Sequence, residues 1–513
     1  MVSAITAADM VGFLGGAGRA ALTEFLSRQR WFAAKSRGIR VLEIADWASL
    51  RRCPPLVLML VNVDEDRYYV PLSAPSVAPD DPRRRIAQFQ GHTICDAHWD
   101  PDFGRLLLEA IMSGANLAAS SGRFLCRPME SSTGRLATDI GSLRVQPLEG
   151  EQSNTSLRFD RALFLKSFRR PQTGVNPDLE ITHFLTSRTS FASAAPLMGW
   201  VDYQERDGRS ATVSILQRFV DNQGDGWQYT LASLRALCEA LEPGGEASSR
   251  PSAMAERALC RSAGDLMEQM RALGTVTGAL HAALASDSSL PDFRPEPITR
   301  GDIARWREEI ARGCELLSAD VLVARSRVPA AAEPTLATLD GLSDRIGPML
   351  DNLALLADGQ TCKIRCHGDY HLGQVLKTPE AFLVIDFEGE PARPLPDRRR
   401  KHASLRDVAG MLRSFNYAVH AVARERATEG PAPLLEWLGR WEDAARRRFL
   451  DGYVTAVSKS AVRLVPTTAA ALAQACAVFE LEKACYEFRY ELNNRPDWIA
   501  IPLAGISRLL TSE

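Results

Sequence analysis

The residues best placed to do chemistry stand close together in the second half of the chain. Arg365-Cys-His367-Gly-Asp369-Tyr-His371-Leu-Gly-Gln374 is followed by a short apolar run, Phe382-Leu-Val-Ile, that ends in Asp386-Phe-Glu388. An aspartate in a loop, an amide five residues on and a second aspartate closing an apolar strand form a layout suited to phosphoryl transfer. An acceptor hydroxyl needs a carboxylate within hydrogen-bonding reach to orient it and take its proton as the O–P bond forms. Magnesium takes hard oxygen ligands, which an Asp carboxylate and a Gln carbonyl both supply. Asp369 is therefore the expected base, Asp386 the principal Mg2+ ligand and Gln374 a secondary one. His367 is expected to brace the loop through hydrogen bonds.

Such a site needs a cradle for ATP, and the first half of the chain offers one. Ser153-Asn154-Thr155-Ser156 lies between the strand-like stretches 143–148 and 162–167 and reads as a small polar turn, able to aim N–H groups and hydroxyls at phosphate oxygens. Lys166 is the candidate lysine for the α/β-phosphates. Glu180 is its expected ion-pair partner, on a helix capped by Asn176 and opened by Pro177. Gln217, Phe219 and Val220 end a strand-like run and are candidates for an adenine-contacting hinge.

Acceptor contacts are expected from His371, Glu388 and Arg393, which neighbour the two aspartates. Tyr486, Arg489, Glu491 and Trp498, near the end of a long helix, are further candidates. Aromatic faces beside charged groups suit a sugar, apolar on one face and rimmed with hydroxyls; the same residues at helical spacing also make core packing. Arg83–Arg85 reads as a solvated basic face. Arg393–Lys401 reads either as a solvated loop or as a phosphate-facing one.

These groups need elements to hold them. The first 95 residues combine a helical stretch, 20–29, with strand-like runs at 41–44, 56–63 and 68–72, and a Pro- and charge-rich loop or boundary at 75–85. Short strands dominate 124–220. Helical periodicity follows at 231–241, 255–285, 335–356, 434–456 and 467–492, with a strand–loop–strand island at 362–385 and a helix start at Ser404, read as its cap. A β-rich half followed by a helical half is a two-lobed α+β layout, which leaves a cleft where a ligand site is expected.

Composition sets the outer bounds. The 513 residues are 45% hydrophobic and 24% charged with a net charge of −2, which is globular and gives no bulk attraction to nucleic acid or to a membrane. The start of the chain reads as no secretory signal, and the longest apolar run, 54–63, falls far short of the ~20 residues of a membrane helix. Ten cysteines without zinc-like spacing read as free thiols, and the expected location is cytoplasmic.

Motifs along nearly the whole chain resemble the bacterial maltokinases, including the maltokinase part of trehalose synthase fusions. They are Gln29-Arg-Trp31-Phe-Ala-Ala-Lys35-Ser-Arg, Glu151–Ser156, Phe168–Pro177, Asp221–Trp227, the Asp369 loop, Asp386–Pro391 through Arg406-Asp407, and Tyr486–Trp498. The resemblance implies a bilobal, protein-kinase-like fold of the aminoglycoside-phosphotransferase type. Its parts would be an N-terminal cap subdomain (1–95), a β-rich nucleotide-binding lobe (96–220) and a helical lobe with the catalytic loop and sugar site (221–513). It further implies ATP-dependent phosphorylation of maltose at the anomeric hydroxyl, giving maltose 1-phosphate, with any trehalose synthase partner a separate chain. Matched by position, Asp369 corresponds to the catalytic aspartate, Gln374 and Asp386 to metal ligands, Ser153–Ser156 to the phosphate loop, and Lys166 and Glu180 to the nucleotide lysine and its partner. Ser36-Arg37 and the insertion at 242–261 depart from the pattern. The rival readings are another sugar kinase on this scaffold, such as a glucosamine kinase, and an inert binding protein.

Overall fold

Leu56–Val63, LVLMLVNV, is apolar at all but one position, so as a strand it must be covered on both faces. The computed structural model, which describes residues 5–33, 38–130, 140–148, 153–241, 253–324, 336, 339, 341–426 and 431–511, shows that it is. The chain forms two compact units, residues 1–187 with 195–221, and 188–194 with 222–513. Lys35–Arg37, Glu149–Gln152 and most of the 242–261 insertion lie outside the described residues.

The first unit holds two antiparallel sheets. Strands β1 (Leu42–Arg51), β2 (Leu56–Val63), β3 (Asp66–Tyr69), β4 (Leu72–Ser73), β5 (Arg85–Phe89) and β6 (His92–Asp96) form the first, in the order β1-β2-β4-β6-β5 with β3 also on β2. Side chains alternate across β2. Val57, Met59 and Val61 face a core with Met10, Leu14, Leu22 and Phe25 of the helices Ala7–Gly15 and Arg19–Arg28. Leu56, Leu58 and Leu60 face a second core, shared with Phe103 and Leu107 of the helix Pro101–Ser113 and with Leu157 and Leu165 of the other sheet. The stretch 75–85, read as a loop or a boundary, is a connection within one sheet, between β4 and β5.

The second sheet contains β7 (Asn116–Ala118), β8 (Gly122–Pro128), β9 (Val145–Leu148), β10 (Asn154–Phe159), β11 (Leu163–Phe168), β12 (Leu197–Glu205) and β13 (Ser210–Arg218), ordered β7-β8-β12-β13-β11-β10-β9. Asn154, Thr155 and Ser156 are thus strand residues rather than turn residues, and only Ser153 precedes the strand. The helix Pro177–Arg188 begins as expected, with Asn176 Oδ1 accepting from the Leu179 N–H at 3.0 Å.

The second unit is mainly helical: Gly226–Leu241, Ala253–Leu284, Arg300–Ala324, Leu405–Glu425, Pro431–Val457, Ala469–Asn494 and Ala500–Thr511. Arg300–Ala324 was not anticipated, although its apolar positions Ile303, Trp306, Ile310, Cys314, Leu317 and Val321 repeat at helical spacing. A capping box opens it: Thr299 and Asp302 each accept the other's backbone N–H. The single helix expected at 335–356 is, in its described part, a set of short turns, Leu342–Arg345, Gly347–Asp351 and Asn352–Leu356, broken where Gly347-Pro348 restarts the chain. Ser404 precedes the helix at Leu405, but its side chain is no cap: the hydroxyl donates to the Leu464 carbonyl and accepts from the Tyr453 hydroxyl. Among the described residues no helix is long and apolar enough to cross a membrane.

Candidate active site

In the first unit, Lys166 sits on β11 and is 7% exposed. A buried ammonium needs a carboxylate, and the structure supplies Asp178, whose Oδ2 lies 2.8 Å away, where Glu180 was expected. Two residues along a helix turn the side chain through ~200°, so Asp178 faces the sheet, fully buried, while Glu180 is half-buried.

Register sorts the remaining nucleotide candidates. Residues directly opposite in an antiparallel pair share a face. Ser156 pairs with Lys166 and Asn154 with Phe168, whereas Thr155 pairs with Ser167 on the other face. Thr155 therefore points away from Lys166, and its hydroxyl accepts from Arg169 Nε at 2.7 Å. Gln217 is the next-to-last residue of β13, its amide donating to the Ala195 carbonyl at 3.4 Å. The Phe219 N–H bonds the Ala162 carbonyl at 2.9 Å, and half-buried Val220 follows.

In the second unit a small hairpin explains the spacing of the candidate catalytic loop. Strands β14 (Val375–Lys377) and β15 (Phe382–Val384) pair with Val375 opposite Val384, which brings residue 374 beside residues 385 and 386. The Gln374 amide nitrogen lies 3.0 Å from Asp386 Oδ2. Asp386 adopts a left-handed backbone, φ +66°, uncommon outside glycine and typical of a position that the surrounding fold holds for a purpose. A Glu388 carboxylate oxygen lies within 4.8 Å of one from Asp386. Two carboxylates and an amide make the all-oxygen set that a hard divalent cation takes, so Asp386, Glu388 and Gln374 fit a magnesium ion. Glu388 is thus a metal candidate as well.

The loop backbone is fixed by Asp407, which belongs to the Arg406-Asp407 motif but was assigned no role from sequence. Asp407 accepts the N–H groups of His367 at 2.8 Å and Gly368 at 2.9 Å, and His281 Nε2 lies 3.1 Å from the same carboxylate. Burial alone would raise the Asp407 carboxyl; the His281 hydrogen bond and neighbouring imidazoles outweigh it and hold it below its ordinary value. Gly410, one turn on, lets this helix approach: a Cβ there would stand 2.5 Å from the Tyr370 carbonyl oxygen. His367 braces the loop as expected, with Nε2 donating to the Ile385 carbonyl at 2.9 Å. Asp407→Asn replaces one acceptor oxygen by an amide group that must face an N–H donor. Expected are a loss of about 1.5–3 kcal/mol in stability by denaturant titration and, in the folded enzyme, a lower kcat with an unchanged KM for ATP.

Asp369 itself faces an alternating chain of charges. Lys483 Nζ bonds Asp369 Oδ1 at 2.9 Å and Glu390 Oε1 at 3.1 Å. Arg393 links Glu390 (2.6 Å) to Glu482 (3.1 Å), and Arg406 closes on Glu482 at 2.6 Å. Burial disfavours the Lys483 charge, but Asp369 and Glu390 hold its pKa well above the ordinary lysine value. Burial, with Glu390 adding repulsion, pushes the Glu482 carboxyl up to about 7. These groups and Tyr486 line a small cavity beside Asp369, about 30 Å³. His371 stands 4.0 Å from Asp369 Oδ2; burial pushes its pKa down, and Asp369 opposes that.

Of the seven expected acceptor contacts, Arg393 and Tyr486 line this cavity and His371 neighbours the carboxylate. Arg489 is committed to Asp320 at 2.7 Å, and Glu491, 2% exposed, to Arg495 at 2.6 Å. Trp498 stacks on Tyr417 with ring centroids 6.5 Å apart. These three pack the end of the helix instead. Lys483 was missed, though it lies three residues before Tyr486 and so on the same helix face.

Residues 25–100 match the family model of the maltokinase N-terminal cap domain. Relatives include a glucosamine kinase of Mycolicibacterium smegmatis, 25% identical over 81% of this chain and 91% of that one. A glucosamine kinase of Streptacidiphilus jiangxiensis is 30% identical over 46% of this chain, and the match spans about half, 48%, of its length. The chain is similar to sugar kinases of the maltokinase and glucosamine kinase type. A solved glucosamine kinase in complex with glucosamine, ADP and inorganic phosphate has the same fold, with a TM-score of 0.64 at 18% identity over 95% of this chain and 98% of that one. A second crystal form of glucosamine kinase gives 0.65. The fold is therefore that of these kinases: α+β, with a β-rich first unit carrying the cap and a mainly helical second unit carrying the Asp369 loop.

Proposed function

We propose that this protein is an ATP-dependent sugar kinase and that its acceptor is maltose, phosphorylated at the anomeric hydroxyl to give maltose 1-phosphate and ADP. Lys166, paired with Asp178, neutralises nucleotide phosphates. Asp386, Glu388 and Gln374 hold Mg2+, which when bound supplies charge neutralisation at the phosphoryl oxygens. Asp369 orients the acceptor hydroxyl and takes its proton, with Lys483 fixing the carboxylate.

The observation that carries the choice of acceptor is the charge balance at Asp369. The Asp369 and Glu390 carboxylates and the Glu482 carboxyl face Lys483, Arg393 and Arg406, so none of these acids lacks a cation beside it. An ammonium of the protein already occupies the space between Asp369 and Glu390. An amino sugar would need a carboxylate with no cation of its own, whereas a neutral sugar needs hydrogen bonds and an aromatic face such as Tyr486. The second reading, glucosamine, is favoured by the relatives named above. In an ATP-consumption assay with maltose, glucosamine and glucose, kcat/KM is expected to be highest for maltose. Preference for glucosamine would overturn the acceptor and leave the kinase standing; no turnover of any sugar would overturn both.

A further inference from the structure

The two carboxylate oxygens of Asp369 face different groups. Lys483 Nζ holds Oδ1 at 2.9 Å, while Oδ2 looks across 4.0 Å to His371 Nε2. That gap is too long for a hydrogen bond. It is the span of two hydrogen bonds of about 2.8 Å each that meet near a right angle on one oxygen atom. Both side chains are reachable from outside, His371 being 38% exposed and Asp369 20%.

The orientation of the His371 ring and the place of its proton are set locally. The side chain caps the turn Leu372–Gln374, with Nδ1 accepting from the Gly373 N–H at 3.0 Å. A ring nitrogen that accepts carries no proton, so the proton of the imidazole stands on Nε2. Gly373 makes room for the ring: a Cβ there would stand 2.9 Å from Cε1 and 3.0 Å from Nδ1, so a side chain at 373 would displace it. An N–H donor thus faces a carboxylate oxygen with space for one atom between them.

We propose that His371 is a second catalytic residue, whose Nε2–H donates to the oxygen of the acceptor hydroxyl while that hydroxyl donates its proton to Asp369 Oδ2. A hydroxyl oxygen has two lone pairs. One takes the His371 N–H and the proton points at Asp369, which leaves the other lone pair aimed at the γ-phosphorus. As the new O–P bond forms, the proton passes to Oδ2, and the old bond to the β,γ-bridging oxygen breaks with its electron pair leaving on ADP. His371 keeps its own proton throughout. The inference rests on the kinase reading above and holds for whichever sugar carries the hydroxyl.

The test compares two substitutions that separate the roles of the two ring nitrogens. Asparagine is a strong capping residue whose short amide reaches the Gly373 N–H but not the gap before Asp369. Glutamine is one carbon longer and presents its NH2 near the Nε2 position, at the expense of the cap. His371→Asn is expected to melt as the wild type does and to lower kcat/KM for the sugar by about ten- to a hundredfold, the range for a misplaced reactant, with an unchanged KM for ATP. His371→Gln is expected to turn over faster than His371→Asn although it caps the turn less well. A ring that only capped the turn would give the reverse order, with Asn near the wild type and Gln below it. Steady-state titrations of sugar and nucleotide, with thermal melts of both variants, read the order. Wild-type kcat/KM in His371→Asn, or His371→Gln slower than His371→Asn, would overturn the role of His371 and leave the kinase reading standing. Failure of the wild type to phosphorylate any sugar would overturn both.

Discussion

Asp369→Asn is expected to lower kcat by about 10²–10⁴-fold, the range for removing a positioned general base, and to leave the KM for ATP essentially unchanged. The amide keeps the size of the carboxylate and an oxygen toward Lys483, so the cavity stays intact. Lys483 also keeps Glu390 at 3.1 Å, so its ammonium is not stranded. What disappears is the group that accepts the hydroxyl proton. Steady-state kinetics with separate nucleotide and sugar titrations check this, with a thermal melt to confirm folding. A variant that retained most of the wild-type turnover would remove Asp369 from the reaction.

Asp386→Asn should raise the magnesium concentration needed for half-maximal activity by about ten- to a hundredfold or more, since even residues behind a metal ligand are worth that much affinity. The choice of substitution matters because Asp386 holds a left-handed backbone. Asparagine tolerates that conformation as well as aspartate does, so the variant changes charge without straining the loop. Alanine would add about 1–2 kcal/mol of backbone cost and blur the result. Magnesium titration of turnover, together with Mn2+ binding followed by electron paramagnetic resonance, separates loss of metal from loss of fold. Unchanged metal dependence in both would take Asp386 out of the metal set.

The sequence by itself determined which residues of the loop come together and the alternation of elements. Asp369, Gln374 and Asp386 are legible because a loop followed by a hairpin is a local device: short-range spacing fixes which residues meet, as Val375 opposite Val384 shows. The buried strand β2 and the capped helix at Asn176-Pro177 are legible for the same reason, since apolar run length and cap chemistry are local signals. Only the tertiary structure decided the rest. Lys483 meets Asp369 across 114 positions, and Asp407 meets His367 and Gly368 across about 40; no periodicity encodes which distant helix face arrives at a loop. The exchange of Glu180 for Asp178 and the turning of Thr155 away from Lys166 are matters of helix phase and strand parity, where a shift of one or two residues reverses the face. Charged side chains on helices look solvated in a sequence, and only packing reveals that Arg393, Arg406, Glu482 and Lys483 are gathered out of water around one carboxylate, where each must be paired with the next.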